Sequence, residues 1–303
     1  METFKKQSDD RPVENPRLTP SVQFLLKTGD NNHPLVKGYL EKKKAYDEQC
    51  RRQANEKKKS EPEPLPPLNP IDMEDLYRAF KEFFGHTQGK PFNEMANHTD
   101  GFMYGETGIL ARTLCTYFIG HPIFLKSPIL NRKSEPNLRK GLMIIGGYGC
   151  GKTSTLKTFY EMFIKAKSHP ITIKDIKGIE QFLRRYGMYF SFHTANDIVA
   201  EYEGLQTPDE KDYFWRIHKG GFKYYDDVMT ERTASNFGKI ELFKDIFEHR
   251  YSTGVRTIIT LNYAGNSVDE TLNSIAERYG ERVYDRLFEM FNIIELKGKS
   301  LRK

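Results

Sequence analysis

Three features of the sequence predict an α/β fold built on a parallel sheet with helices on both faces. Strand-like and helix-like segments alternate from residue 131 to 303, as the crossovers of a parallel sheet require. Gly146-Gly-Tyr-Gly-Cys-Gly151-Lys152-Thr153 fits GxxxxGK[ST] between an apolar strand and a helix. Phe222-Lys-Tyr-Tyr-Asp226-Asp227 is a mostly apolar strand that ends in two carboxylates. Together they specify a three-layer α/β P-loop fold.

The elements follow in order. Residues 1–70 are polar, basic and Pro-rich, and are expected to be a flexible N-terminal region. Lys42, Lys43 and Lys44, then Arg51 and Arg52, then Lys57, Lys58 and Lys59 precede the break at Glu61-Pro-Glu-Pro-Leu-Pro-Pro67, read as an extended spacer. Residues 71–130 form a helical segment packed on, or leading into, the core. There Asp72 caps a helix carrying Met73, Leu76, Tyr77, Phe80, Phe83 and Phe84, and Gly85 is read as its stop. A loop rich in Gly, Asn and His leads to a second amphipathic stretch from Ile109 to Phe118.

Residues 131–303 make the nucleotide domain. Leu142–Ile145 reads as a buried strand, Lys152–Lys165 as a helix, and Met188–Phe192 as a strand before a helix through Ile198 and Tyr202. Phe222–Tyr225 is a strand. Ile240–Tyr251 is a helix with Leu242, Phe243, Ile246 and Phe247 on one face. Arg256–Leu261 is a strand ending at Asn262, Ile275–Phe291 a helix, and Asn292–Leu296 the last strand.

Composition bounds the function. The chain has 303 residues, a net charge of +6 and 38% apolar residues. Its isoelectric point is near 8.9 and its mean hydropathy −0.67. No apolar run is long enough to span a membrane. METFKKQSDD has no apolar segment of a secretory signal, so a cytoplasmic protein is expected. Cys50, Cys115 and Cys150 are too scattered for a disulfide framework or a paired-cysteine zinc site. The mild basic bias permits a nucleic-acid partner without requiring one.

The chemistry centres on phosphate. Glycines at 146, 147, 149 and 151, with Tyr148 and Cys150 between them, let backbone N–H groups curl around phosphate oxygens. The helix N-terminus at Lys152, Thr153 and Ser154 adds partial positive charge. Lys152 is expected to reach the β- and γ-phosphates of ATP, and Thr153 and Asp226 to hold Mg²⁺. Asp227 is placed to orient or polarise the attacking water. Asn262 is either a γ-phosphate or water contact or an ordinary turn-forming residue. The lysine in the strand and the short second carboxylate predict slow hydrolysis. Spacing alone reads Arg282 and Arg286 as surface arginines bonded to Glu281, Asp285 or Glu289.

Taken in order, GLMIIGGYGCGKTSTL, KYYDDVMTER, RTIITLNY and RYGERVYDRLFEMFNIIELKGKSLR resemble the DnaC/IstB family of AAA+ ATPases over roughly residues 135–303. The resemblance implies an AAA+ type domain, with too few residues after Asn262 for a separate C-terminal lid. It also implies ATP at a protomer interface, with Arg286 as the arginine offered to a neighbour's γ-phosphate and Arg282 as its basic partner. Self-association then runs through Arg286. Asn262 matches sensor 1, and Arg302 the sensor-2 arginine. The implied function is loading of a hexameric replicative helicase, with single-stranded DNA as a further partner. An IstB-like transposition ATPase on double-stranded DNA and a nucleotide-stabilised adaptor are the alternatives. Well-known loaders of this family carry a cysteine-containing zinc site ahead of the ATPase core, which Cys50 and Cys115 do not reproduce.

Candidate DNA contacts are scattered: Lys126, Arg132, Lys133, Arg139, Lys140, Arg184 and Arg185 could neutralise phosphates, and Tyr186 or Tyr189 could stack on bases. A solvated basic face with core aromatics explains the same residues.

Overall fold

The computed structural model describes residues 14–29, 31–59, 67–236 and 238–302. Two compact units divide the chain, residues 1–66 and residues 67–303. In the first, α1 (Pro20–Lys27) packs on α2 (Pro34–Lys59), and Val22 and Val36 are buried. Where a flexible tail was expected, α2 forms because nothing after Gly38 breaks it and its Lys, Glu, Ala, Arg and Gln favour helix. Lys42, Lys43 and Lys44 are exposed on it. The leading residues Met1–Asp10 and nearly all of the expected spacer lie outside the described residues.

The second unit opens with α3 (Met73–Gln88) and α4 (Glu106–Phe118). A short strand β1 (Leu130–Asn131), the central β2 (Gly141–Gly146) and α5 (Lys152–Ser168) follow. Then come a hairpin of β3 (Thr172–Lys174) and β4 (Glu180–Phe182), β5 (Ser191–Thr194), α6 (Ala195–Gly204) and α7 (Pro208–Lys219). After β6 (Lys223–Asp226) come a small hairpin of β7 (Ala234–Ser235) and β8 (Lys239–Ile240), α8 (Leu242–Thr253) and β9 (Thr257–Asn262). Helices α9 (Val268–Tyr279) and α10 (Glu281–Met290) lead into β10 (Phe291–Leu296).

Six strands form one sheet in the order β1-β10-β2-β9-β6-β5, parallel throughout except for β1 at the edge. Period-2 alternation sorts its side chains. Leu142, Ile144, Tyr224, Ile258 and Ile294 face a core shared with α3, α4 and α5. Met143, Ile145, Tyr225, Ile259 and Ile293 face a core shared with α6 to α10. The expected parallel sheet covered on both faces is present. Residues 67–130 belong to the same unit as the sheet. Phe80 of α3 stacks on Phe159 of α5 at 4.4 Å between ring centres.

Some boundaries differ from the sequence reading. Gly85 does not stop α3, which runs to Gln88 and ends at Gly89 with φ 65°. An isolated helical glycine costs only about 1 kcal/mol, too little to end a helix that buried Phe80 and Phe84 anchor just before it. The helix expected over 275–291 is two helices that meet at Gly280, whose φ of 92° no continuous helix allows. The strand expected from Met188 starts at Ser191, the first residue with a partner on β6, Lys223. Helix α7 lies in a stretch where no element was expected. It carries a capping box between Thr207 and Glu210 that the sequence contains.

Arg250 is fully buried on α8 and works as a polar rivet. Its Nη atoms donate to the carbonyls of His218, Gly220, Gly221 and Arg256, and Nε donates to Thr257 at 2.7 Å. These contacts join the end of α7 to the loop that opens β9. Arg250→Met leaves those acceptors unpaired, with an expected loss of about 3 kcal/mol or more. Equilibrium urea unfolding of the variant measures it.

Candidate functional site

The parallel register brings three strand ends level. Gly146, the last residue of β2, pairs with Asn262 of β9 on one side and Leu296 of β10 on the other. Glycines at φ 73° (Gly149) and 96° (Gly151) turn the chain from β2 into α5 in a conformation that side chains resist. Gly147, Tyr148 and Cys150 complete the loop, with Tyr148 exposed and Cys150 buried.

Lys152 is buried, and its ammonium folds back into the loop. Nζ donates to the carbonyls of Gly146 and Gly147, both at 2.8 Å, and to Oδ1 of Asn262 at 3.1 Å. Burial holds its pKa below the usual lysine value. Ser154 donates to the Gly151 carbonyl at 3.1 Å.

Thr153 donates to Oδ1 of Asp226 at 3.0 Å, so the hydroxyl and carboxylate expected to share a cation are adjacent. The same oxygen accepts Tyr224 and Thr260 hydroxyls, each at 2.5 Å. Asp227 sits at φ 54°, a left-handed conformation that Asp tolerates better than most residues. Its N–H donates to Thr260 Oγ1 at 3.0 Å, and its Oδ1 accepts Asn262 Nδ2 at 3.3 Å. Burial, and then the charge of Asp226, raise the Asp227 pKa, with Lys152 opposing the shift. Asn262 therefore bridges Lys152 and Asp227.

The chain after β10 straps over the loop. Lys297 and Gly298 donate backbone N–H groups to the two carboxylate oxygens of Glu106, at 2.8 and 2.5 Å. Asn97 exchanges two hydrogen bonds with the backbone of Lys299, and Leu301 N–H donates to the Gly149 carbonyl at 2.9 Å. A Cβ on Gly298 would lie 2.3 Å from Asn97 Nδ2 and 2.6 Å from Glu106 Oε2, so a side chain there would displace both groups that hold the strap. Arg302 is thereby laid against Gly149, where an added Cβ would meet its Cγ at 3.2 Å. A cleft of about 980 Å³ results, lined by Lys152, Asp227 and Arg302 together with Lys90, Asn93 and Thr107.

Arg286 is not part of this cluster. It pairs with Glu248 and its guanidinium lies 4.3 Å from the ring centre of Tyr251. Arg282 approaches the same Glu248 at 3.5 Å. The partner is on α8, not Glu281, Asp285 or Glu289. Two residues on, the Phe288 carbonyl accepts Lys140, which immediately precedes β2. Arg286 thus lies toward the end of the sheet away from the loop.

Several of the candidate DNA-contacting groups are engaged within the chain. Lys140 donates to Ser134 and two carbonyls, Arg132 to the Leu125 carbonyl, and Arg185 to Gln181. Lys133 pairs with Asp269. Tyr186 donates to the Asn69 carbonyl and Tyr189 to that of Arg184. Lys126, Arg139 and Arg184 are exposed, and Arg184 lies over the Phe182 ring. Among the described residues no helix is long and apolar enough to cross a membrane, and no cluster of three or more His, Cys, Asp or Glu could hold a metal.

Sequence reasoning missed Tyr224, Thr260, Asn97 and Glu106. Tyr224 was detectable as the same-face neighbour of Asp226 on β6. The other three act across 34 residues or more and left no local signal.

No protein-family model matches the chain, and no curated protein matches it. Among solved structures it is similar to the DnaC helicase loader at 27% identity and TM-score 0.35, over 52% of this chain and 79% of that one. DnaI follows at 21% identity and TM-score 0.35, over 54% of this chain and 73% of that one. AMPPCP-bound DnaA from Aquifex aeolicus is similar at 20% and TM-score 0.33, over 52% and 40%. TM-scores of this size do not establish a shared global arrangement, so the fold stands on the strand register.

The raised pKa of Asp227 has a definite sign for stability. Ionising this carboxyl is harder in the folded chain, so the penalty is absent below the unfolded value of about 3.9 and complete above the folded one. Asn keeps the shape and tolerates the left-handed backbone. Asp227→Asn is expected to raise the thermal midpoint at neutral pH, with the gain fading as the pH falls toward about 4, in parallel melts of both proteins.

Proposed function

We propose that this chain binds and hydrolyses ATP with Mg²⁺ and acts as a DnaC-like loader of a ring-shaped replicative helicase. The convergence of Lys152, Thr153, Asp226, Asp227 and Asn262 at three level strand ends supports this reading. The donor chemistry fits a magnesium nucleotide. A lysine ammonium already desolvated and held by carbonyls can exchange them for phosphate oxygens, a gain from neutral to charge-assisted hydrogen bonds.

In the proposed site Thr153 and Asp226 would hold Mg²⁺, which screens phosphate charge when bound. Gly146 to Gly151 would turn N–H groups to the phosphates, and Lys152 would span the β and γ groups. Asp227, with Asn262, would orient the water in line with the γ-phosphorus. Arg302, beside Gly149, would contact the same chain's nucleotide. Arg286, remote from this loop, suits a group offered to a neighbouring protomer, where it would neutralise charge developing on the phosphoryl oxygens. ATP then ties protomers together, and its hydrolysis loosens them.

Single-stranded DNA is the proposed second ligand, and a soluble cytoplasmic setting fits replication. Exposed Lys126, Arg139, Arg184 and Lys42–Lys44 are the proposed phosphate contacts.

ATP hydrolysis without DNA, with single strands and with duplex tests the reading. Lys152→Ala is expected to abolish turnover under all three conditions, and single strands to stimulate the wild type. Arg286→Ala is expected to retain nucleotide binding and to lose turnover on the order of 10³-fold. Normal turnover by Arg286→Ala removes its assignment. Preference for duplex favours a transposition ATPase, and turnover independent of Lys152 refutes the site.

A further inference from the structure

Glu248 stands between two arginines that have no other carboxylate within ion-pair distance among the described residues. Its Oε1 faces Arg282 Nε at 3.5 Å and its Oε2 takes Arg286 Nη1. The two arginines are a turn apart on α10, and Glu248 reaches them from α8. The second support of Arg286 also comes from α8, the ring of Tyr251 under its guanidinium at 4.3 Å. Tyr251 is itself fixed by donating to Glu289 at 2.9 Å. Arg286 is accordingly only 19% exposed, whereas Arg282 remains 75% exposed.

We propose that Glu248 is a positioning residue that restrains Arg286 on its own protomer and so sets how readily it is offered to a neighbour's nucleotide. This rests on the reading of Arg286 as a group acting in trans. The physical basis is competition for one guanidinium. A carboxylate and a phosphoryl oxygen present the same acceptor chemistry to the fork of N–H donors, so Arg286 cannot satisfy both fully. The phosphoryl group carries more charge and wins once protomers meet, but the cis pair must first open. A partly exposed ion pair is a weak restraint. It therefore delays assembly without preventing it, the behaviour expected of a chain whose turnover waits on a partner. Arg282, more exposed and farther from the carboxylate, keeps Glu248 partnered when Arg286 leaves.

The test is hydrolysis per protomer against protein concentration for the full chain, comparing wild type, Glu248→Gln, Arg286→Ala and the double variant. Gln is isosteric and removes the charge. Glu248→Gln is expected to reach half-maximal turnover at about two- to fivefold lower protein concentration. The double variant is expected to match Arg286→Ala, since the restraint has nothing left to act on. A general weakening of α8 would not shift the curve to lower concentration, and matched thermal midpoints check that the fold is intact. If the curve is unchanged, or shifts to higher concentration while Arg286→Ala is inactive, the restraint is wrong and the trans reading survives. If Arg286→Ala is fully active, both fall.

Discussion

The site depends on one buried ammonium. Lys152 closes the end of β2 by bonding the carbonyls of Gly146 and Gly147, and it reaches across the sheet to Asn262 at the end of β9. A buried charge without partners would be costly, so the loop is shaped around those acceptors. The same ammonium opposes the raised pKa of Asp227, which Asn262 also holds. Loop, second carboxylate and polar strand end are thus one electrostatic unit. This unit exists only because the parallel register sets Gly146 opposite Asn262.

Around it, distant parts of the chain contribute by backbone fit. The strap of residues 297–302 is held by Glu106 at the start of α4 and by Asn97 in the loop before it. Leu301 then bonds Gly149 inside the phosphate loop. The strap therefore links the loop to the start of α4 through hydrogen bonds. On the far side, Arg278 of α9 bonds the carbonyls of Met229 and Glu231, just after Asp227, and pairs with Glu241. The helix that leads to α10 is thereby tied to the segment after the second carboxylate.

The phosphate loop, the two carboxylates, Asn262 and the alternating layers were legible because their signals are local. A glycine run, a strand ending and a helical stripe each fit within about twenty residues. The Gly280 break was visible as a glycine but was outweighed by apolar spacing on both sides. Gly85 has the opposite history, since one helical glycine costs too little to end α3, which closes instead at Gly89. Nothing local marks Asn97 or Glu106, whose partners lie about two hundred residues away. Spacing paired Arg286 with carboxylates on its own helix, whereas the fold supplies Glu248 from α8. An (i, i+4) rule sees one helix, and a surface arginine chooses among all the helices that reach it.

The most direct test of the central claim is calorimetric titration of the full chain with AMPPCP, with and without Mg²⁺. The account predicts saturable binding near one nucleotide per chain, weakened when Mg²⁺ is withheld because Thr153 and Asp226 then lose the ion they would share. Absence of saturable binding in the presence of Mg²⁺ would contradict it, and would leave the cluster around Lys152 as a structural feature only.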